Sequence, residues 1–263
     1  MRVSARPVTR PGRRTRAAVF LRSFAIQGSW NYRTLIGTGF GFALLPALRA
    51  LYRDDPGRLH EAIERHTRLF NSHPYLAPVA LGAVATLEAD GADAQVVERF
   101  KAAVRGSLGS LGDHLLWAGW RPVCLLLALA LLLAGAAWWI CVIAFLAVYN
   151  AGHLLVRIQG YRVGLREGLR VGESLRRWPV ARVQRALTLL GAFFVGLLVP
   201  MAAAGLHLEA AGVVATSRLP ARWIVIAAAA ALVGARAGAA IRAPLVLALA
   251  GLSLFGLLLG VLA

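Results

Sequence analysis

The stretch Gly106-Ser-Leu-Gly-Ser-Leu-Gly-Asp113-His-Leu-Leu-Trp117-Ala-Gly-Trp-Arg-Pro122 decides how the rest of the chain is interpreted. It places glycines, one carboxylate and two tryptophans directly before 27 uncharged residues, Val123–Tyr149. An uncharged run of this length can cross a bilayer, which needs about 20 apolar residues. Because glycine loses more backbone freedom on ordering than any other residue, the glycine-rich stretch is predicted to be a poor helix and a poor strand.

Two interpretations of this stretch remain open from the residues alone. Non-helical backbone at membrane depth is tolerated only where protein or a water-filled cavity covers it. The stretch is then a bent or re-entrant segment that delivers Asp113 and Trp117 to a polar cavity. In the other interpretation it is an interfacial loop, with its tryptophans at headgroup level and Asp113 capping the following helix.

The composition indicates an integral membrane protein. The chain has 263 residues, of which 59% are hydrophobic, and these residues occur in blocks. The net charge is +17, and every basic residue except Lys101 is arginine. The arginines flank apolar segments and do not form one basic domain, so the positive-inside rule accounts for them better than nucleic-acid binding does.

Residues 1–16 are predicted to be a basic, disordered tail that contacts anionic lipid, and 17–122 a core of re-entrant and amphipathic segments. In that core, 35–51 is interrupted by Pro46, which favours a half-helix or hairpin. Asp54-Asp55-Pro56 is a helix start. The apolar segment Leu76–Leu87 is too short to cross a membrane, so it is either re-entrant or buried.

Residues 123–263 are predicted to hold transmembrane spans around a basic connection, 157–185, which carries eight arginines. The positive-inside rule makes this connection and the N-terminus cytoplasmic. The span 123–149 then enters from outside and 186–206 leads out. The later segments 223–235 and 243–263 return and exit, which leaves the C-terminus external.

Cys124 and Cys141 lie too far apart on one helix for a disulfide. His60, His66 and His73 lie near one amphipathic helix without a metal-ligand arrangement, so solvated or capping roles are favoured over metal binding. No cofactor is expected, and no residue stands out as a phosphate acceptor.

An ordered set of motifs resembles the IID subunit of the mannose/fructose/sorbose family of the bacterial phosphotransferase system (PTS). The resemblance is strong over Val19–Asn150 and weaker afterwards. The motifs are Phe20-Leu-Arg-Ser23, Gln27-Gly-Ser-Trp-Asn31, Gly39-Phe-Gly-Phe-Ala-Leu-Leu-Pro-Ala-Leu48, Leu51-Tyr52, Phe70-Asn71 with Pro74, and Gly112-Asp113 with Trp117 and Arg121-Pro122.

This resemblance implies an all-α integral membrane protein in the cell membrane, with several transmembrane helices plus re-entrant hairpins and amphipathic interfacial helices. It also implies a IIC membrane partner that forms the sugar translocation unit with this chain, assembled as a trimer of IIC–IID pairs. Separate soluble IIA and IIB proteins then carry phosphate to the incoming hexose. The chain would itself be a transport subunit and not an enzyme.

The stretches that match the family contain amides, a carboxylate and aromatic rings, the groups that bind neutral sugars. These predicted path residues are Gln27, Trp30, Asn31, Asn71, Asp113 and Trp117. A charged Asp113 inside the membrane is costly and should face a cavity. The alternative is that the amides close helix ends and the tryptophans only pack.

Two departures from the family pattern leave a second function open. His114 stands where the family carries proline, and the predicted external region 207–222 is short. The alternative to a sugar importer is therefore a degenerate IID-like interaction or regulatory membrane protein without sugar transport.

Overall fold

The computed structural model of the chain describes residues 11–210, and this part is almost entirely helical. Its β-type pairings are two isolated bridges, Asn31 with Leu35 and Leu35 with Phe70. The α-helices of the described residues are α1 (Arg13–Arg22), α2 (Gly37–Leu51), α3 (Pro56–Thr67), α4 (Ala77–Ala89), α5 (Ala94–Gly112), α6 (Arg121–Leu133), α7 (Trp138–Glu167), α8 (Val171–Arg176) and α9 (Val180–Ala210).

Three helical segments are long and apolar enough to cross a membrane: Ala94–Leu133, Trp138–Arg176 and Val180–Leu198. The prediction of an all-α integral membrane protein is therefore confirmed. The predicted segments 223–235 and 243–263 lie outside the described residues. Helix α1 begins at Arg13, so residues 13–16, expected in the disordered tail, are helical.

The chain divides into two compact units. The first contains the described residues up to His114 together with 153–178, and the second contains 115–152 and the chain from Pro179 onward. The core of the first unit surrounds α4, whose thirteen residues are all buried. A helix that is apolar on every side is stable only when other helices surround it, so the short segment predicted at 76–87 is buried within the protein.

Helix α3 begins as its sequence predicts. The Asp55 side chain caps the helix by accepting a hydrogen bond from the Arg58 backbone N–H at 2.9 Å. Pro56 occupies the first turn, where its missing N–H costs nothing.

Helix α2 continues through Pro46, which contradicts the predicted hairpin; with 15 residues it is shorter than the candidate spans, in agreement with the alternative of a half-helix. Proline has no N–H to donate, so it leaves the carbonyl four residues earlier without its helical partner. That carbonyl belongs to Phe42, and it accepts a hydrogen bond from Nη1 of Arg22 at 3.4 Å. A side chain at the end of α1 thus replaces the bond that the proline removes.

The glycine-rich stretch is also helical, so the expectation that it is a poor helix is wrong, whereas its depth in the membrane stays a prediction. Helix α5 runs through Gly106 and Gly109 to Gly112, and a π-helical stretch, Asp113–Trp120, continues it into α6. A Cβ at Gly112 would overlap the ring of His73. Glycine is therefore present here because another segment packs closely, which offsets its cost within a helix.

His114 fits this helical path. Its ring Nδ1 donates to the carbonyl oxygen of Ser110 at 2.8 Å, one turn earlier. Proline would lack a backbone N–H at this position.

The uncharged run 123–149 is two helices and not one span. Helix α6 ends at Leu133, and Gly135 follows in the left-handed region with φ of 87°. The Gly135 N–H donates to the Leu132 carbonyl at 2.9 Å and the Ala136 N–H to the Leu131 carbonyl at 3.0 Å, which is a Schellman C-cap. The single span predicted over 123–149 is therefore wrong, since the chain turns at 134–137, whereas the side from which the chain enters the membrane stays a prediction.

Aromatic and aliphatic side chains at this turn face outward in the second unit. Trp138 and Trp139, which begin α7, are 72% and 52% exposed. Tryptophans concentrate at membrane–water interfaces, so their exposure beside a helix turn indicates that the turn lies at a membrane surface.

The close packing of α7 on α4 gives a first testable prediction. A Cβ at Gly164 would overlap the backbone carbonyl oxygen of Val79, whereas one at Gly106 on α5 would meet nothing within 4 Å. We expect Gly164→Ala to destabilise the protein by about 1–3 kcal/mol through overpacking. The control Gly106→Ala should be neutral or stabilise by roughly 0.5–1 kcal/mol through helix propensity. Thermal unfolding in detergent measures both, and equal midpoints for the two variants would contradict the prediction.

Candidate functional site

The loop between α1 and α2 carries three of the predicted path residues, and Asn31 organises it. Its Oδ1 accepts the backbone N–H groups of Arg33 at 3.0 Å and Thr34 at 2.9 Å. Its Nδ2 donates to the Ser29 carbonyl at 3.1 Å and to Oγ1 of Thr34 at 2.8 Å. These four bonds use the hydrogen-bonding capacity of the amide, so Asn31 shapes the loop in the structure.

The same loop is held against the chain that follows α3. The Ile36 N–H donates to the Phe70 carbonyl at 3.1 Å, and the Phe70 N–H donates to the Thr34 carbonyl at 3.2 Å. Leu35, between them, has a φ of 54°, a conformation that costs a non-glycine residue energy and is found at functional sites. This pairing brings the loop next to Asn71.

The first unit gathers the segments that hold five of the six predicted residues. Gln27, Trp30, Asn71 and Asp113 are exposed. The packing of His73 on Gly112 brings the segment after Asn71 beside the helix on which Asp113 begins the π-helical stretch. These segments therefore present polar and aromatic groups at the surface of the first unit.

Trp117, the sixth predicted residue, belongs to the second unit. It lies on the π-helical stretch and is 38% exposed. π-Helical turns are rare and occur frequently at functional sites, which makes this stretch a plausible place for a functional side chain.

A buried polar cluster in the first unit was missed by sequence reasoning. The Glu88 carboxylate, 1% exposed, accepts hydrogen bonds from Nη2 of Arg65 at 2.8 Å, from Nε2 of His66 at 2.7 Å and from the Tyr52 hydroxyl. Nζ of Lys101 donates to the Arg65 carbonyl at 2.6 Å. The cluster joins the end of α2 to α3, α4 and α5.

Electrostatics within the cluster favour an ionised Glu88. Burial by itself raises the pKa of Glu88, but the hydrogen bonds from His66, Tyr52 and Arg65 outweigh it and lower the pKa to about 2. Burial, followed by the hydrogen bond to Glu88, raises the pKa of Tyr52 to about 12. Burial lowers the pKa of His66 despite the carboxylate beside it.

His66 and His73 were expected to be solvated or capping. Both are buried, at 0% and 2% exposure. His66 belongs to the Glu88 cluster, whereas His73 does cap a turn, because its Nδ1 accepts the Tyr75 backbone N–H at 3.2 Å. The sequence signal for the cluster was Glu88 itself, one residue past the predicted apolar segment, because a carboxylate on a buried helix requires partners.

The first residues of the predicted basic connection 157–185 are helical, and its first arginine is buried. Helix α7 continues to Glu167, and seven of the eight arginines of the connection are exposed. Arg157 is only 3% exposed and donates from Nη1 to the Ser23 carbonyl at 3.2 Å.

Cys124 and Cys141 are free and buried. Among residues 11–210, no group of three or more histidine, cysteine or acidic side chains is arranged to hold a metal ion.

The helical core, the candidate spans and the outward-facing tryptophans define an integral membrane protein of the helical class. Residues 12–215 match the family described as the PTS system mannose/fructose/sorbose family IID component. The chain belongs to this family, and the resemblance inferred from its motifs is confirmed.

Two relatives illustrate the match. The mannose-specific EIID component of Escherichia coli K12 is 31% identical over 186 residues, which cover 69% of this chain and 65% of that protein. The fructose permease IID component of Bacillus subtilis 168 is 29% identical over 188 residues, which cover 69% of this chain and 67% of that protein. The match thus spans slightly less than two thirds of the E. coli relative.

Two solved structures share the fold at 29% identity. One is the cryo-EM structure of the mannose transporter ManYZ in complex with microcin E492, with a TM-score of 0.57, covering 72% of this chain and 70% of that one. The other, described as a membrane protein, has a TM-score of 0.65 and covers 73% of this chain and 71% of the other.

The Glu88 cluster gives a second testable prediction. Glu88→Gln keeps the shape of the side chain but leaves Arg65 without its buried counter-charge, which typically costs about 3–5 kcal/mol. Glu64→Gln is the matched control, because Glu64 on α3 pairs with Arg68 at 2.9 Å and both of these side chains are exposed. We expect a clearly lower thermal midpoint in detergent for Glu88→Gln and no measurable change for Glu64→Gln. Equal midpoints would show that the buried carboxylate contributes no more than a surface one.

The same cluster predicts a loss of stability in acid. The pKa of His66 lies below its usual 6.5, so the buried neutral ring stabilises the fold above pH 6.5 and this contribution falls as the pH drops below that value. The pKa of Glu88 falls from 4.5 to about 2, so its contribution is complete above pH 4.5 and is lost as the pH approaches 2. Thermal midpoints measured between pH 8 and pH 4 should decline from about pH 6.5 downward. In a His66→Gln variant the decline that begins near pH 6.5 should be absent. A constant thermal midpoint down to pH 5 in the parent would contradict the contribution assigned to His66.

Proposed function

We propose that this chain is the membrane subunit of a group-translocating sugar importer and that it forms the translocation unit with a IIC subunit. The observation that carries the proposal is the family match over residues 12–215. Relatives named for mannose and fructose, and the likeness to the ManYZ mannose transporter, support a hexose as the substrate. In this proposal three IIC–IID pairs assemble in the membrane.

The chain performs no covalent chemistry in this mechanism. Soluble IIA and IIB proteins carry the phosphate, and the membrane unit brings the sugar to them. The contribution of this subunit is recognition and passage, for which hydrogen-bonding side chains and aromatic faces are the appropriate groups.

Five of the six predicted residues have exposed side chains of the types suited to this role. Gln27 and Asn71 offer amides, Asp113 a carboxylate, and Trp30 and Trp117 aromatic faces, and all of them are exposed in the chain. Asn31 contributes differently, because its amide is engaged by the backbone of its own loop. We therefore assign Asn31 to shaping the path and the other five to lining it.

The helix turn at 134–137 revises the proposed topology. Segments Ala94–Leu133 and Trp138–Arg176 are two candidate spans joined by this turn, so the chain before residue 94 and the chain after 176 lie on the same side. The exposed arginines that follow the second span, Arg177, Arg182 and Arg185, favour a cytoplasmic position for that side. The turn with Trp138 and Trp139 is then external. The external position of the C-terminus predicted from the sequence is compatible with this topology.

The proposal is tested by sugar uptake. The full chain is expressed with its IIC, IIA and IIB proteins in a strain that lacks its own mannose-type permease, and uptake of labelled mannose, fructose and sorbose is measured. Co-elution of the chain with IIC in mild detergent reports assembly. Assembly without uptake of any of the three sugars would favour the regulatory alternative.

The path assignment gives a fourth testable prediction. Asp113→Asn and Trp117→Ala should lower uptake about ten- to hundredfold, the effect expected when a charged hydrogen bond or a stacking face is lost. Asp93→Asn is the matched control, since Asp93 is an exposed carboxylate that makes no capping hydrogen bond at the start of the same helix. Immunoblots of the membrane fraction and co-elution with IIC should be unchanged for all three. Normal uptake by both path variants would place these residues outside the sugar path.

A further inference from the structure

Arg157 is the one arginine of the basic connection that the described structure buries. A guanidinium removed from water costs a large free energy unless neighbouring groups replace its hydration. The other seven arginines between 157 and 185 remain exposed. The positive-inside rule accounts for those seven but not for a cation that is 3% exposed.

The partners of Arg157 come from two segments far away in the sequence. Its Nη1 donates to the Ser23 carbonyl at 3.2 Å and lies 3.4 Å from the Ser23 Oγ. Its guanidinium carbon lies 4.6 Å from the ring centroid of Phe24 and 4.9 Å from that of Tyr75. The guanidinium therefore contacts the end of α1 through Ser23 and Phe24, and the segment after α3 through Tyr75.

Two further contacts hold Tyr75 in this arrangement. The ring of His153, one turn before Arg157 on α7, stacks on Tyr75 with a centroid distance of 4.4 Å and an angle of 18° between the rings. The Tyr75 backbone N–H is held by Nδ1 of His73. Helix α7 thus presents two consecutive turns to the same tyrosine.

Both contacted segments lead directly to predicted path residues. Ser23 and Phe24 come immediately before the turn that reaches Gln27, and Tyr75 lies four residues after Asn71. Arginine suits this position because its flat guanidinium can accept ring contacts on its faces while its N–H groups donate at the edge. A lysine ammonium has no such plane.

We propose that Arg157 is a positioning residue, which holds the segment of Gln27 and the segment of Asn71 in a fixed arrangement for sugar binding. The inference rests on the proposed function, because it names a group that acts on the sugar through the path residues. Arg157 itself makes no contact with the sugar in this scheme.

The first test is the concentration dependence of mannose uptake by the full chain co-expressed with IIC, IIA and IIB. Arg157→Met should raise KM about tenfold, as expected for loss of one charged hydrogen bond, with the maximal rate per copy of membrane-inserted protein nearly unchanged. The KM of Arg157→Lys should lie between that of the parent and that of Arg157→Met, because lysine keeps the charge and a hydrogen-bond donor but lacks the planar face. The control Arg162→Met removes an exposed arginine of the same helix and should leave KM unchanged.

A purely structural role gives a different result. Arg157→Met would then reduce the amount of inserted protein, while the copies that remain would keep the parent KM, and this outcome would overturn the proposal. If Arg157→Met does not reach the membrane at all, Phe24→Leu decides the question. Phe24 is 45% exposed, so its loss removes one ring face with little effect on the core. A raised KM for Phe24→Leu supports the proposal, and a parent KM overturns it.

A second measurement does not depend on transport. Spin labels at Ser29 and Ser107, two exposed positions in the first unit, report the distance between the loop after α1 and helix α5 in a cysteine-free background. The distance distribution should broaden in Arg157→Met and stay as narrow as the parent in Arg162→Met. No broadening in Arg157→Met would overturn the positioning role. If Arg157→Met shows the broadening but the parent protein transports none of the three sugars, the result counts against the proposed function alone.

Discussion

The first unit depends on a single constraint, which is that a carboxylate has to be accommodated inside its most apolar layer. Helix α4 is buried along its whole length, and Glu88 near its end cannot reach water. Partners must come to it, and they come from Tyr52 after α2 and from Arg65 and His66 on α3. The position of α4 therefore fixes the ends of two other helices, and the Lys101 bond to the Arg65 carbonyl extends this control to α5.

Close backbone contact and polar bonding support one another around this layer. Gly164 on α7 lies so near Val79 on α4 that no side chain fits between them. At this separation, Oγ1 of Thr86 reaches the Leu165 carbonyl at 3.0 Å. Membrane helices are commonly joined in this way, because small residues allow the approach and hydroxyl groups bond across the contact.

The sequence allowed the class, the family and several elements to be predicted, but not the effects of packing. The Asp55–Pro56 helix start depends on local chemistry and was predicted correctly, as was the short apolar segment that becomes α4. The helical path of the glycine-rich α5 and the continuation of α2 through Pro46 were not predicted, because the groups that compensate for them lie elsewhere in the chain, His73 for Gly112 and Arg22 for the carbonyl freed by Pro46. Gly135 was a visible signal for the break in the uncharged run, and it was outweighed by the length of that run. The roles of the path residues in sugar binding stay predictions. The engagement of the Asn31 amide by its own loop depends on the folded shape of that loop, which the sequence pattern does not reveal.

The first unit is built from two separate segments of the chain, and this has a consequence for biosynthesis. Its two parts are separated by residues 115–152, and two hydrogen bonds join residues 134 and 145 positions apart, Arg157 to Ser23 and Tyr161 to Arg16. A growing chain emerges from the ribosome N-terminus first, so helices α1–α5 must wait for the second half of α7 before their core is complete. During that interval the hairpin of α6 and the first half of α7 is already available to the insertion machinery. Until residues 153–178 emerge, Glu88 and its basic partners can assemble, but the face of α4 that packs on Gly164 stays uncovered.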